Sequence, residues 1–125
     1  SNTRHAYVLT DAYGNRVFKG FTNVACADSM MSMALFERTL QQHARSTDTL
    51  LQQAAFVYLG SVLQASAITR DTINKVLDAV ALQPNTITVY DPNYRASLWP
   101  NEMEAFDIIL QTAKRVDVVK LSDDE

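Results

Sequence analysis

The chain has 125 residues, of which 47% are hydrophobic and 20% charged, and its formal net charge is −3. These values are typical of one folded domain and not of a disordered chain. A net negative charge also disfavours nucleic acid as a partner, because the phosphates repel it. The longest apolar run, Ala54 to Gly60, is far shorter than the roughly 20 residues of a membrane span. We expect a single cytoplasmic domain over residues 1–125, with no membrane partner and with residues 1–4 and 122–125 flexible.

The first predicted element is a β-hairpin. Its strands are His5 to Thr10 and Arg16 to Phe21, both rich in aromatic and β-branched residues. Asp11 caps the turn between them, and Gly14 permits a positive φ. In the second strand, simple alternation places Arg16, Phe18 and Gly20 on one face and Val17, Lys19 and Phe21 on the other.

A long helix is predicted next, capped at Thr22 or Asn23 and continuing to about Arg45. Its first half carries apolar side chains on two sides, which indicates packing between layers or against a partner chain. Methionine suits adaptable interfaces as well as cores. We predict a self-association or protein-partner surface over residues 24–36, with burial in the core as the alternative. The predicted interface residues are Met30, Met31, Met33 and Phe36.

Two more helices are predicted in the middle of the chain. The segment Leu50 to Leu63 is apolar nearly all round, which is typical of a central, buried helix. Gly60 within it indicates that another element approaches closely. Thr69 caps the third helix, whose apolar stripe has a 3.6-residue period and consists of Ile73, Val76, Leu77 and Val80.

The last third of the chain has the pattern of a β-α-β unit. Thr86 to Tyr90 is predicted as a strand and Val116 to Leu121 as another, and the spacing of a crossover predicts that they pair in parallel. Pro100 suits the opening of the helix between them, and Asn101 and Glu104 have the spacing of a capping box. Its predicted core-facing stripe is Met103, Phe106, Ile109, Leu110 and Ala113.

The predicted fold class is therefore α+β. An N-terminal β-hairpin, three helices and a β-α-β unit form a small mixed sheet, with the helices packed on one face.

No set of residues in the sequence matches a familiar catalytic or metal-binding pattern. His5 and His43 have no Cys, Asp or Glu at the spacing of a triad or a metal site. Cys26 lies where a helix N-terminus would activate a thiol, but its apolar neighbours favour a small core residue. The three glycines form no phosphate-binding loop. We predict no catalytic residue, no metal and no cofactor, and we lean against an enzyme.

The irregular stretch 91–100 is the better candidate for binding. It follows a predicted strand and offers residue types that are enriched at binding hot spots. The alternative for Trp99 is an anchor that packs the loop on the core. The predicted binding residues are Tyr90, Tyr94, Arg95 and Trp99.

Three functional hypotheses follow. The favoured one is a non-catalytic protein-interaction module, bacterial or phage-like in character and homodimeric or docked on another protein. The alternative is a small-molecule-binding protein or minor enzyme whose site lies under the 91–100 loop, with Tyr94, Arg95 and Glu102 or Glu104. The third is nucleic-acid binding through residues 70–78, which the mixed charges of that helix disfavour.

Overall fold

A computed structural model of the chain describes residues 3–22, 26–43 and 46–122. The predicted flexibility of residues 1, 2 and 123–125, and the predicted cap at Asn23, lie outside these ranges. The strands are β1 (Ala6–Thr10), β2 (Arg16–Phe21), β3 (Phe56–Gly60), β4 (Ile87–Asp91) and β5 (Val118–Val119). The helices are α1 (Met33–Gln42), α2 (Thr47–Gln53), α3 (Ala67–Val80) and α4 (Glu102–Ala113), with 3-10 turns at Ala27–Ser29, Ser61–Ala65 and Ala96–Leu98. The predicted α+β fold class is confirmed.

The hairpin is confirmed, and its turn is closed as predicted. The carboxylate of Asp11 accepts from the backbone N–H groups of Tyr13 and Asn15 at 2.8 and 2.9 Å. The predicted orientation of the β2 side chains is wrong at the C-terminal end of the strand. A bulge beside Gly20, which has a φ of 137°, shifts the register, so Phe21 joins Arg16 and Phe18 on one face.

The predicted long helix is wrong over residues 26–32. Two serine side chains end its hydrogen-bond ladder: Ser29 Oγ accepts from the N–H of Cys26, and Ser32 Oγ caps α1. The carbonyls of this segment turn instead toward α3. Three hydroxyls along α3 and its cap, those of Ser66, Thr69 and Thr72, donate to the carbonyls of Ser29, Asp28 and Met31.

The predicted central helix 50–63 is also wrong, because it contains three elements. Helix α2 ends at Gln53, where the Thr86 hydroxyl donates to the carbonyls of Leu51 and Ala54 at 3.1 and 2.8 Å. Strand β3 follows, since short apolar runs rich in aromatic and β-branched residues pair well in a buried sheet. The close approach expected at Gly60 is real: a Cβ there would lie 3.3 Å from the carbonyl oxygen of Asp91.

The main sheet is parallel, with the order β3-β4-β5. The predicted parallel pairing of the last two strands is therefore confirmed. Its inner face carries Leu59 and Tyr90, which pack with the buried side of α3, and both α3 and α4 cover this face. The core cluster consists of Leu51, Leu59, Ile73, Leu77, Val80 and Tyr90.

The predicted core-facing stripe of α4 is right at Ile109 and Ala113, which pack against the core cluster, and wrong at its other three residues. Met103, Phe106 and Leu110 are 79, 65 and 42% exposed, while Ala105 and Thr112 are buried. The helix has apolar residues on more than one side, so the sequence pattern did not decide which side faces the sheet. Among the described residues, no helix is long and apolar enough to cross a bilayer.

Candidate functional site at the carboxyl edge of the sheet

The carboxyl ends of the three parallel strands lie side by side. Gly60, the last residue of β3, is the register partner of Asp91, the last residue of β4. On the other side, the N–H of Lys120 donates to the carbonyl of Tyr90 at 2.8 Å. In sheets of this kind, ligands bind beyond the carboxyl ends of the strands. This edge is the candidate site.

Asp91 is the centre of the site. Its Oδ2 accepts from the hydroxyl of Tyr58 at 2.5 Å and from Nζ of Lys120 at 2.7 Å. These bonds, first that of Lys120 and then that of Tyr58, lower the pKa of Asp91 below its ordinary value of 3.8. The site therefore contains an ionised carboxylate, that of Asp91, whose position is fixed by hydrogen bonds from a phenol and an ammonium group.

The chain beyond Asp91 is held in a defined shape. The Pro92 carbonyl accepts from both the N–H and the hydroxyl of Ser61. Asn93 has a φ of 43°, which non-glycine residues adopt rarely and mostly as Asn or Asp. Next, the Arg95 guanidinium lies over the Phe18 ring of the hairpin, 5.9 Å from its centroid. This contact joins the hairpin to the site, and cation–π pairs of this kind contribute about 0.5–1 kcal/mol at exposed sites.

The structure separates the four predicted binding residues into two groups. Tyr90 is fully buried and donates to Oε1 of Gln64, and Trp99 is also buried. Tyr94 and Arg95 are half-buried in the loop that follows Asp91. Sequence reasoning did not select Tyr58, Asp91 or Lys120. The available signal was the acidic residue at the carboxyl end of a strand in a predicted parallel pair.

The predicted interface residues lie at the start of α1 and just before it. Met30 is 45% exposed, whereas Met31, Met33 and Phe36 are half-buried. Met31 and Phe36 also line an apolar cavity of about 370 Å³ between α1, α2, β3 and α3. Self-association or a protein partner on this surface stays a prediction.

The basic residues of the 70–78 segment are engaged within the chain. Arg70 binds Glu104 at 3.0 Å, and Lys75 binds Asp71 at 2.7 Å. Such pairing lowers the positive potential that a nucleic-acid-binding helix needs. Cys26 is fully buried, while His5 and His43 lie on the surface. Over residues 3–22, 26–43 and 46–122, no three acidic, histidine or cysteine residues group as metal ligands do.

Acid should weaken the candidate site and the fold around it. Because the pKa of Asp91 is lowered in the folded state, its bonds stabilise the protein above the unfolded-state pKa and are lost as pH falls through the folded value. We expect the free energy of unfolding to fall below pH 3.8, as measured by urea titration followed by circular dichroism. In Lys120→Met the main cause of the shift is removed, so the loss contributed by Asp91 should be smaller and should be complete at a higher pH. Identical pH profiles for the two proteins would contradict this assignment.

The proteins whose sequences match this chain include several that are named as fructokinases. The chain is 29% identical over 125 residues to fructokinase-1 of rice (Oryza sativa subsp. japonica) and 30% identical over 125 residues to probable fructokinase-7 of Arabidopsis thaliana. All of this chain is matched, but it spans only about a third of these relatives, 35 and 33%. No family model matches the chain.

Solved structures show the same fold. A fructokinase from Xylella fastidiosa matches with a TM-score of 0.75 at 24% identity, covering 98% of this chain and 34% of that one. An uncharacterized sugar kinase, PH1459 from Pyrococcus horikoshii, matches with a TM-score of 0.66 at 23% identity, covering 95% of this chain and 34% of that one.

These similarities overturn the favoured hypothesis. The prediction of a non-catalytic protein-interaction module is wrong, because the relatives matched across the whole chain are named as enzymes. The expectation of a bacterial or phage-like protein is wrong as well, since rice and Arabidopsis proteins are among them. The alternative hypothesis, a small-molecule site or enzyme under the 91–100 loop, agrees better with both the relatives and the geometry. The sequence pattern failed here because groups that separate strands bring to one edge of a sheet form no motif along the chain.

Proposed function

We propose that this chain forms part of a carbohydrate kinase of the fructokinase type that works in the cytoplasm, and that the carboxyl edge of its sheet faces the substrates. The observation that carries the proposal is the placement of Asp91, held by Tyr58 and Lys120 where three parallel strands end, beside the Arg95 loop. The whole-chain similarity to fructokinases supports the reaction class.

The chemistry of this edge suits a sugar and a phosphate together. A fixed carboxylate such as Asp91 accepts hydrogen bonds from sugar hydroxyls, and it stays ionised at neutral pH because its pKa is lowered. Arg95 and Lys120 supply positive charge, and guanidinium and ammonium groups both bind phosphate oxygens. One related fructokinase structure contains ATP. ATP is thus the proposed phosphate donor.

In the proposed reaction, a sugar hydroxyl oxygen forms a bond to the γ-phosphorus of ATP. The bond from that phosphorus to the β–γ bridging oxygen breaks, ADP leaves, and the hydroxyl proton is released. Such transfers depend mainly on positioning and on positive charge near the transferred group. We assign Asp91 to holding a sugar hydroxyl, and Arg95 and Lys120 to the phosphate charge.

The test is ADP release by the longest natural polypeptide that carries this sequence. With ATP and magnesium present, we expect D-fructose to raise ADP release well above the rate without sugar, with D-glucose and D-ribose as comparison substrates. Absence of sugar-dependent release with all three would contradict the kinase. Saturable fructose binding in calorimetry without turnover would also contradict it and would favour a binding protein instead.

A further inference from the structure

A buried chain of hydrogen bonds connects β4 to α4 through the short helix Ser61–Ala65. Gln64, Tyr90 and Thr112 are 0, 0 and 3% exposed. The hydroxyl of Tyr90 donates to Oε1 of Gln64 at 2.6 Å, and Nε2 of Gln64 donates to Oγ1 of Thr112 at 2.7 Å. The three side chains thus link elements that are far apart in the sequence.

The hydrogen bonds of this network all run in the same direction, from Tyr90 through Gln64 and Thr112 to Ile108. The Thr112 hydroxyl donates to the carbonyl of Ile108 at 2.9 Å, so its oxygen accepts from the Gln64 amide. The amide oxygen of Gln64 then faces Tyr90, whose hydroxyl donates to it. Because the Thr112 oxygen accepts on one side and the Tyr90 hydroxyl donates on the other, this network admits one orientation of the Gln64 side chain.

The short helix holds the strand on both sides of Asp91. Gln64 binds Tyr90, the residue before Asp91, and Ser61 binds the carbonyl of Pro92, the residue after it. Successive side chains of a strand point to opposite faces, so an anchored Tyr90 sets where the next side chain emerges. The helix is itself fixed, since Nε of Arg70 donates to the Gln64 carbonyl at 2.9 Å.

Stability alone does not account for a glutamine at this position. A fully buried amide gains little over an apolar side chain of similar volume, because its hydrogen bonds replace equally good bonds to water. Satisfied buried networks do, however, fix one arrangement of the groups around them. The arrangement fixed here is the strand segment 90–92, which carries Asp91.

We propose that Gln64 is a positioning residue for the candidate site and that, through Tyr90, it fixes the place of Asp91. The inference rests on the proposed function for its effect on catalysis. Its effect on the placement of Asp91 is independent of that function.

The test replaces the whole network by apolar side chains of similar shape, Gln64→Leu with Tyr90→Phe and Thr112→Val. Since the three groups that bond to one another are replaced together, we expect the free energy of unfolding to stay close to that of the parent. We expect kcat/KM to fall about tenfold or more, as misplaced reacting groups commonly cause. The pKa of Asp91, followed by carbon-13 NMR of its carboxyl group, should rise toward its ordinary value as the contact with Lys120 loosens.

Two further variants make the test decisive. Tyr90→Phe alone removes one oxygen and should raise the pKa of Asp91 in the same direction. Thr72→Val removes another buried hydroxyl bond, that to the carbonyl of Met31, and should leave the pKa of Asp91 unchanged. An unchanged pKa of Asp91 in the triple variant and in Tyr90→Phe, or an equal rise in Thr72→Val, would overturn the proposal. If the parent has no kinase activity, the proposed function fails and the pKa still decides the positioning role.

Discussion

Asp91→Asn is expected to lower kcat/KM for sugar phosphorylation by roughly 10- to 100-fold. The amide keeps the shape of the side chain but loses the charge that we assign to holding a sugar hydroxyl and that the Tyr58 hydroxyl and the Lys120 ammonium now hold in place. Hydrogen bonds to a charged group contribute about 1.5–3 kcal/mol each, and about 1.4 kcal/mol corresponds to a factor of ten. Steady-state kinetics with ATP and D-fructose measure the loss.

The matched control is Asp107→Asn. Asp107 is exposed on α4, so the same chemical change there should leave kcat/KM within about twofold, as for surface substitutions in general. Circular dichroism of both variants separates a local effect from unfolding. An Asp91→Asn protein that is folded and retains the parental kcat/KM would remove Asp91 from the proposed site.

Leu77→Ala should produce the largest loss of stability, about 2–5 kcal/mol, because it leaves a cavity in a close-packed core. Leu77 is 2% exposed and lies in the cluster that joins α3 to the inner face of the sheet. Domains of this size are stable by only about 5–15 kcal/mol, so the variant should unfold at much lower urea concentration.

Leu82→Ala is the control for the leucine substitution. Leu82 is 80% exposed just after α3, and the change should alter the free energy of unfolding by no more than about 0.5 kcal/mol. Equal urea midpoints for the two variants would contradict the assigned core.

Local chemistry explains the features that the sequence predicted correctly. The turn at Asp11 is closed by bonds to residues two and four positions away. Asn101 caps α4 by accepting from the N–H of Glu104 at 2.7 Å. The parallel pairing of β4 and β5 follows from the length of the crossover between them. Each of these depends on residues that are close in the chain or on its connectivity.

The errors arose where distant residues decide the structure. The 28–31 segment bends because hydroxyls of α3 and its cap take its carbonyls. Helix α2 ends where Thr86, which is 35 residues from Leu51, takes the last carbonyls. An apolar periodicity identifies a helix with apolar sides, but the neighbours determine which side is buried, as the exposed Phe106 shows.

The features of the candidate site fall into the same two groups, those set by neighbouring residues and those set by distant ones. The sequence by itself determined the hairpin and the β-α-β unit, because turns, caps and crossovers are properties of neighbouring residues, while the role of the 91–100 loop in binding stays a prediction. Only the tertiary structure placed Tyr58 and Lys120, which are 33 and 29 residues from Asp91, on its carboxylate. It also turned Tyr90 inward to Gln64. The carboxyl ends of parallel strands become neighbours only when the sheet forms, so no local pattern in the sequence indicates that these residues lie together.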